Sequence, residues 1–218
     1  TFFEALKNEN PLKIVGCINP FTALLAEKSG LKGLYISGAG VANASYGLPD
    51  LALTSLDNVL NDLRKMTAVT ELPILVDCDT GWGSALNISR TIKEMASAGA
   101  SGVHIEDQVS QKRCGHRPNK EIVDCKEMCD RIKAARDSSQ DDNFLLMART
   151  DSFDKEGLDS AIDRMGKYIE SGANSVFPEA ISDLDDYKKI TKALNVPVLA
   201  NITEFGLTPL FSQKELKD

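Results

Sequence analysis

Short apolar runs alternate with amphipathic helical patterns along nearly the whole chain, and this alternation limits the fold more than any other feature. Seven runs recur, at 12–17, 33–36, 73–76, 102–105, 144–147, 175–177 and 196–199. Because each run is almost continuously apolar, we expect strands that are buried on both faces, as in a parallel sheet. The helical patterns between the runs provide the crossover connections that parallel strands require.

The helical patterns begin at recognisable N-cap residues. Ser55 precedes a stretch with apolar residues at three- and four-residue spacing, and Asp124 lies three residues before Glu127, which is a capping-box pattern. Ser212 and Glu215 form the same pattern further along the chain. No linker, low-complexity tract or block of charge interrupts this order, so we predict a single domain.

Charged or polar residues follow nearly all the apolar runs, which favours a closed sheet over an open one. In an open doubly wound sheet, function concentrates at one switch point, whereas a barrel collects the carboxyl ends of all its strands around one pocket. We therefore predict an α/β fold, a (β/α)8 TIM-type barrel across residues 1–218. The polar residues at the strand ends are Asn19, Ser37, Asp77, Asp79, Glu106, Asp107, Arg149, Asp151, Glu179, Asn201 and Thr203.

The predicted barrel has seven strands in this sequence, and we expect its eighth strand to be missing. A further crossover helix starts at Ser212, shortly before the last residue, Asp218. The first residue is Thr1 rather than Met, so we also expect the natural start, with any targeting signal, to be absent.

Charge and cysteine content narrow the classes of partner. A formal net charge of −7 at pH 7 and a pI near 5.0 disfavour a nucleic-acid partner, which would call for a basic surface. No apolar run reaches the ~18 residues that indicate a transmembrane helix, so no membrane partner is expected. Cys125 and Cys129 have no second Cys or His pair to complete a zinc site. We expect free thiols in a reducing cytoplasm.

The segment 112–118 combines a thiol with three cations, a histidine and a glycine. Nearby positive charge favours thiolate over thiol, so we expect Cys114 to be more acidic than a free cysteine. His116 beside it is the histidine that we expect to be functional, whereas His104 lies inside an apolar run and reads as a satisfied core residue. A surface thiol in a basic loop is the alternative interpretation.

Two carboxylates close the third apolar run and indicate a metal site. Strand alternation places Asp77 and Asp79 on one face, where they could hold a hard divalent cation. An N-capping acidic turn is the alternative, and Glu106 at the end of the next run favours the metal. Arg149 is either a salt-bridge partner or, in a ring of carboxylates, a bidentate grip for a substrate carboxylate. The loop 37–40 is either an ordinary turn or a set of backbone donors for an anion.

Together these motifs resemble the isocitrate lyase and phosphoenolpyruvate mutase superfamily, and within it the branch that acts on 2-methylisocitrate. The segments that carry the resemblance, in the order of the family, are 35–40, 47–50, 77–83, 104–108, 112–119, 147–151, 177–180 and 201–205. The sequence Lys-Arg-Cys-Gly-His-Arg is the form expected of that branch, whereas isocitrate lyases tend to carry Lys-Lys-Cys-Gly-His. Phe177 would line a pocket for the extra methyl group, which can contribute about 1–3 kcal/mol of discrimination.

The resemblance implies a Mg2+-dependent retro-aldol cleavage of a tricarboxylate, 2-methylisocitrate, to pyruvate and succinate in the methylcitrate cycle of propionate catabolism. It also implies a cytoplasmic homotetramer that swaps C-terminal helices between subunits. The implied catalytic residues are Cys114 as the proton donor, Tyr35 as the base for the hydroxyl, and His116. The implied metal residues are Asp79 as a direct ligand, with Asp77, Asp50 and Glu106 partly through water. The implied substrate-binding residues are Ser37, Gly38, Ala39, Gly115, Arg149, Phe177, Glu179, Asn201, Ile202 and Thr203.

Three alternatives stay open at this point. One is a superfamily enzyme for isocitrate, an oxaloacetate-like substrate or a phosphonate. Another is a non-catalytic barrel scaffold, although a scaffold has no need of a convergent polar ring. The third is a redox protein built on Cys114, against which stands the absence of a Cys-x-x-Cys motif.

Overall fold

The computed structural model describes residues 1–139, 141–204 and 206–217; Phe205, which belongs to one segment of the resemblance, lies outside them. In this part of the chain six parallel strands form one sheet in chain order. They are β1 Ile14–Gly16, β2 Gly33–Ile36, β3 Ile74–Asp77, β4 Gly102–Glu106, β5 Leu145–Thr150 and β6 Ser175–Pro178. The sheet curls into a half-barrel, which confirms the predicted α/β class and agrees with a TIM-like barrel.

Helices precede, connect and follow the strands, and those between successive strands cover the outer face of the sheet. They are α1 Phe2–Asn8, α2 Pro20–Lys28, α3 Gly38–Gly40 with a π-helical turn at Val41–Ser45, α4 Leu56–Thr67, α5 Ala85–Ser97, α6 Cys125–Ser138, α7 Phe153–Glu170 with a non-helical residue at Gly157, α8 Leu184–Ala193 and α9 Gln213–Lys217. None of these helices combines the length and the apolar character that crossing a bilayer would require.

The predicted N-caps at Ser55, Asp124 and Ser212 are confirmed, but the capping box at Asp124 is incomplete. Ser55 caps α4, and the Ser212 hydroxyl and the Glu215 carboxylate bind each other's backbone N–H groups at 3.3 and 2.8 Å. Asp124 accepts a hydrogen bond from the Glu127 amide at 2.7 Å. However, the Glu127 carboxylate binds Arg131 at 2.6 Å, so this capping box forms on one side only.

The predicted seventh strand, at 196–199, is not confirmed. This run makes one isolated parallel bridge, between Val176 and Val198. The Val176 amide donates to the Pro197 carbonyl at 3.0 Å, and the Leu199 amide donates to the Val176 carbonyl at 2.9 Å. Pro197 has no N–H group to extend the ladder, and such residues belong at sheet edges. The half-barrel therefore has six strands in the described residues.

Strand alternation divides the apolar residues into an outer and an inner layer. On β5, Leu146 packs outward with the helices, whereas Leu145 and Met147 belong to an inner cluster with Leu75 and Phe177. Side chains two residues further along each strand keep the same direction. This periodicity directs one polar residue at the end of each of β2 to β6 into the hollow of the half-barrel: Ser37, Asp77, Glu106, Arg149 and Glu179. Asp107 was also predicted to face the pocket, but it follows Glu106 by one residue and therefore points to the outer side.

Candidate active site

A cavity of about 1050 Å³ opens at the carboxyl ends of the strands and continues along the inner face of the sheet toward α1, α8 and α9. Of the predicted site residues, all line this cavity except Gly38, Asp79 and Glu106, which lie next to it. The lining members are Tyr35, Ser37, Ala39, Asp50, Asp77, Cys114, Gly115, His116, Arg149, Phe177, Glu179, Asn201, Ile202 and Thr203. The fold thus brings the predicted residues to one place.

Asp77 and Asp79 lie together beside Gly38. The Asp77 carboxylate accepts hydrogen bonds from the Gly38 and Asp79 amides, both at 3.0 Å. A Cβ atom on Gly38 would meet both carboxylates, at 3.1 and 3.2 Å, so glycine allows this close approach. Asp79 itself has φ of 48°, in the left-handed region that aspartate tolerates better than most residues. The Gly38 N–H group, which was predicted to bind a substrate carboxylate, thus binds Asp77 here. Its contact with a substrate stays a prediction.

The Lys112 ammonium supplies the positive charge in this cluster. It lies 2.5 Å from Asp50 Oδ1 and 2.7 Å from Asp79 Oδ1, and its side chain is only 4% exposed. The latter contact is an ion pair without hydrogen-bond geometry, because Asp79 Oδ1 has no hydrogen-bond partner in the described part of the chain. Burial lowers the pKa of Lys112, but Asp77, Asp79, Glu106 and Asp50 outweigh it and raise the pKa above its usual value.

The carboxylates of the cluster differ in acidity. Burial and the neighbouring Asp77 raise the pKa of Asp79 to about 6. Burial opposes ionisation of Asp77 as well, but its positive neighbours hold its pKa below the usual range. His104 contributes to that effect only when protonated, so Lys112 and Arg149 provide it at neutral pH. Burial also raises the pKa of Glu106, whose two carboxylate oxygens find no hydrogen-bond partner among the described residues. Four carboxylates (Asp50, Asp77, Asp79 and Glu106) thus share two cations, Lys112 and Arg149.

His104 and Tyr35 form a contacting pair on the floor of the cavity. The Tyr35 hydroxyl lies 2.8 Å from His104 Nε2, and Asp77 Oδ1 lies 3.6 Å from the same nitrogen. Burial lowers the pKa of His104 to about 4, so the ring is neutral at pH 7. Burial and Asp77 raise the pKa of Tyr35, which keeps its phenol protonated. His104 is thus buried as predicted, but it contacts the site, and its Nδ1 has no partner in the residues described here.

Arg149 is held by carboxylates of the protein itself. Its Nε and Nη2 bind Asp151 at 3.0 and 3.1 Å in a bidentate pair. Nη2 also lies 3.1 Å from Glu179, Nη1 lies 3.4 Å from Glu106, and the guanidinium carbon lies 5.2 Å from the centre of the Phe177 ring. The salt-bridge interpretation therefore describes this arrangement, and a substrate grip by Arg149 remains a prediction.

The Cys114 loop lies over Arg149 and Glu179. Gly115 is buried so closely against both side chains that a Cβ atom would overlap them. His116 Nδ1 accepts a hydrogen bond from the Leu207 amide at 2.9 Å, and its Nε2 lies 3.4 Å from Asn201 Nδ2 and 3.4 Å from Glu179 Oε1. The loop therefore connects β6 to the 201–207 segment, with the half-buried Cys114 facing the cavity.

The cations of this loop differ from the sequence-based expectation. Arg113 and Arg117 are exposed, whereas the buried cations are Lys112 and Lys120. Lys120 lies two residues beyond the segment 112–118, and no local pattern in the sequence singles it out. A signal did exist for His104, because it precedes Glu106 by two residues and so shares its face of β4.

The chain has relatives whose functions are named. Residues 3–218 match the sequence profile of a family described as phosphoenolpyruvate phosphomutase. A protein of Escherichia coli (strain K12) named 2-methylisocitrate lyase is 57% identical over 217 residues, covering 99% of this chain and 73% of that protein. A protein of the same name from Shewanella oneidensis is 56% identical over 215 residues, covering 99% of this chain and 74% of that protein.

Solved structures share the fold at lower identity. The crystal structure of a 2,3-dimethylmalate lyase superimposes with a TM-score of 0.93 at 30% identity, covering 99% of this chain and 73% of that one. A phosphonopyruvate hydrolase in complex with oxalate and Mg2+ has a TM-score of 0.74 at 28% identity, covering 85% of this chain and 65% of that one.

Proposed function

The chain belongs to the phosphoenolpyruvate phosphomutase family, and from that premise we propose that it is a carbon–carbon lyase acting on 2-methylisocitrate. Relatives with that name are 56% and 57% identical to it, whereas the solved structures of enzymes for other substrates are 28% and 30% identical. The observation that carries the proposal is the Cys114 loop, which closes one cavity together with an acidic cluster and Arg149. Cleavage would yield pyruvate and succinate.

The acidic cluster fits a Mg2+ ion. Both oxygens of Glu106 are buried and have no hydrogen-bond partner in the described residues, and Asp79 Oδ1 has only the Lys112 ammonium, 2.7 Å away; hard cations prefer such carboxylate oxygens. In the same part of the chain no three Cys, His, Asp or Glu side chains converge as a complete ligand set. This agrees with Mg2+, which usually keeps several waters and takes one or two carboxylates. Asp79 would hold the ion, with Asp77, Asp50 and Glu106 around it. When bound, Mg2+ makes the substrate hydroxyl more acidic.

The chain's own groups account for the proton transfers in this proposal. Cys114 is the acid that gives a proton to the succinate fragment, whose carbanion is delocalised into a carboxylate. Arg149 provides a fixed positive charge directly beneath the loop, and it stabilises charge that develops as the bond breaks. Tyr35 is the group that we propose as the base for the hydroxyl; because burial keeps its phenol protonated at pH 7, it must first lose its own proton to the solvent in the cavity that it lines.

We place the remaining substrate contacts at the rim of the cavity. Ser37 and Ala39 would bind the pyruvyl carboxylate through backbone donors, and Asn201 and Thr203 would bind the opposite end. These side chains are half-buried around one cavity, which supports the assignment. Phe177 packs edge-on against His104, with ring centres 5.3 Å apart, and forms an apolar wall for the extra methyl group.

We also propose that the protein is a cytoplasmic homotetramer, as the resemblance implies. Large apolar side chains on its surface support association between subunits, since Phe21 is 67% exposed and Leu86 is 84% exposed. Light scattering coupled to size-exclusion chromatography tests this directly, and a monomeric mass at micromolar concentration would contradict it.

The lyase proposal is tested by succinate release from the purified protein, because the second product is pyruvate from 2-methylisocitrate but glyoxylate, which lacks the methyl group, from isocitrate. We expect turnover of 2-methylisocitrate with Mg2+, loss of turnover with a chelator, and at least ~10-fold lower kcat/KM for isocitrate, the size of one methyl contact. Equal turnover of both substrates would contradict the substrate assignment. Undiminished activity without metal would contradict the role of Mg2+.

Replacing the thiol tests the proposed acid separately. Cys114→Ser keeps the size of the side chain but is a far weaker acid, so we expect kcat to fall about 10²- to 10⁴-fold, the usual contribution of general acid catalysis. Mg2+ binding, followed by calorimetry, should be unchanged. A wild-type kcat in this variant would remove Cys114 from the chemistry.

A further inference from the structure

Lys120 is a buried cation that the proposed mechanism does not use. Its side chain is 4% exposed, and it follows the Cys114 loop at the point where the chain leaves the cavity. Its ammonium donates to the Gly115 carbonyl at 2.5 Å and lies 3.3 Å from Asp151 Oδ1 and 3.2 Å from Asp154 Oδ2. A buried ammonium loses its hydration, so these three contacts together must compensate for it.

Asp151, the partner of Lys120, is itself fixed on its other sides. Its two oxygens take the bidentate pair with Arg149, and its amide donates to Asp107 Oδ1 at 2.9 Å. Asp107 is fully buried and is held by Thr150 at 2.6 Å and by Tyr168 at 2.9 Å. Lys120 therefore joins the loop to a rigid group at the end of β5.

The position of Gly115 explains why such an attachment matters. Its peptide lies against Arg149 and Glu179 with no room for a Cβ atom. Lys120 holds the carbonyl of this peptide, and Cys114 is the preceding residue. Release of this carbonyl would free Gly115 to shift against Arg149, and the thiol of the preceding Cys114 would shift with it.

We propose that Lys120 is a positioning residue of the lyase: it fixes the Gly115 peptide on the Arg149–Asp151 pair and so sets where the Cys114 thiol stands. The inference rests on the proposed function in one respect, that Cys114 is the reacting acid. Lys120 itself contacts neither the acidic cluster of Asp50, Asp77, Asp79 and Glu106 nor the proton that is transferred.

The test compares Lys120→Met, Lys120→Gln and Lys120→Arg with Lys155→Met, a matched control for an exposed lysine on α7. Two quantities are measured: kcat and KM for 2-methylisocitrate, and the rate at which iodoacetamide alkylates Cys114, read by peptide mass spectrometry without substrate. We expect Lys120→Met to lower kcat by about 10- to 100-fold with little change in KM, because a displacement of about 1 Å costs that much. Alkylation of Cys114 should become several-fold faster.

The conservative variants separate positioning from simple folding. Lys120→Arg keeps a charged donor and should recover most of kcat and most of the protection from alkylation, with Lys120→Gln intermediate. If Lys120→Met does not fold, Lys120→Gln carries the test by the same criteria. Wild-type kcat and alkylation in the neutral variants, or an equal loss in Lys155→Met, would overturn the inference. An inactive wild-type protein would instead contradict the lyase proposal, while the alkylation rates would still report on Lys120.

Discussion

The contact of Gly115 with Arg149 and Glu179 makes this glycine the tightest point of the Cys114 loop. We predict that Gly115→Ala lowers kcat/KM at least ~10-fold, because the new methyl group must push the loop away from Arg149 and misplace the thiol. The unfolding midpoint should change less than the activity, since Gly115, although buried, belongs to a loop and not to a helix or strand. The measurement is pyruvate release together with thermal unfolding.

Gly166→Ala is the matched control for this substitution. Gly166 lies in α7, where an added Cβ atom meets nothing within 4 Å. Alanine is the better helix former, so this variant should be fully active and more stable by about 0.5–1 kcal/mol. Equal activities of the two variants would show that the loop does not need its close approach to Arg149.

The neutral imidazole of His104 predicts a pH dependence of stability. Above pH ~6.5 the side chain is unprotonated in both the folded and the unfolded states. Below that pH the unfolded chain binds a proton here, whereas the folded protein does not until its pKa of about 4. The unfolded state therefore binds more protons, and stability falls as the pH drops from ~6.5 to about 4. Such a shift corresponds to about 3 kcal/mol.

His104→Gln should remove this contribution. Urea unfolding of both proteins with a chelator present, at several values between pH 8 and pH 4.5, measures it. We expect the wild type to lose more stability than the variant across that window, by up to ~3 kcal/mol. Parallel pH profiles would mean that His104 takes up its proton in the folded protein as readily as in the unfolded chain.

At the scale of elements, buried polar bonds join β4, β5 and α7 behind the site. Asp107 at the end of β4 accepts hydrogen bonds from Thr150 on β5 and from Tyr168 on α7. The Tyr168 hydroxyl also accepts from Arg164 at 3.1 Å. We predict that Tyr168→Phe costs about 1–3 kcal/mol in the free energy of unfolding, because it leaves buried partners unsatisfied.

Tyr187→Phe offers a control with the same chemistry. The Tyr187 hydroxyl is buried but has no hydrogen-bond partner in the described ranges, so its removal should be neutral or slightly stabilising. Chemical denaturation of both variants compares them. A cost in Tyr187→Phe as large as that in Tyr168→Phe would show that the loss in Tyr168→Phe does not come from its hydrogen bonds to Asp107 and Arg164.

The elements also show how far local sequence information extends. The run at 73–76 became Ile74–Asp77 and that at 102–105 became Gly102–Glu106, because their apolar periodicity reflects burial on both faces. The run at 196–199 is also apolar but makes only one bridge. Strand pairing depends on Pro197 and on the presence of a neighbouring strand, and the apolar character of a run does not reveal whether a neighbouring strand is present. Cap residues such as Ser55 were predictable because the bonds that they satisfy lie within one turn.

At the scale of the whole molecule, the site is assembled from two kinds of position. Asp77, Arg149 and Glu179 lie at the carboxyl ends of strands, so the parallel topology alone predicts that they converge. The contacts of Lys112 with Asp50 and of Lys120 with Asp151 join distant loops, and no periodicity encodes them. Such loop contacts depend on the three-dimensional path of the chain. Sequence reasoning therefore found the thiol and the three cations near it, but it could not tell that Lys112 is buried while Arg113 and Arg117 are exposed.

The topology of the half-barrel predicts a gradient of local stability across the sheet. The strands β3 to β5 pair on both sides, and every residue of all three is buried. In contrast, β1 pairs only with β2 within the described residues, and Val15 is 38% exposed. Amides with few buried contacts exchange through local opening, whereas central strands exchange only through global unfolding.

We therefore predict that the amides of β1 and Leu199 exchange at least ~10-fold faster than those of β4, corresponding to ~1.4 kcal/mol or more. Hydrogen–deuterium exchange read by mass spectrometry measures this, and α5 serves as a buried helical reference. Equal protection of β1 and β4 would mean that the edge of the sheet is covered in solution, as it would be if the proposed association between subunits takes place along β1.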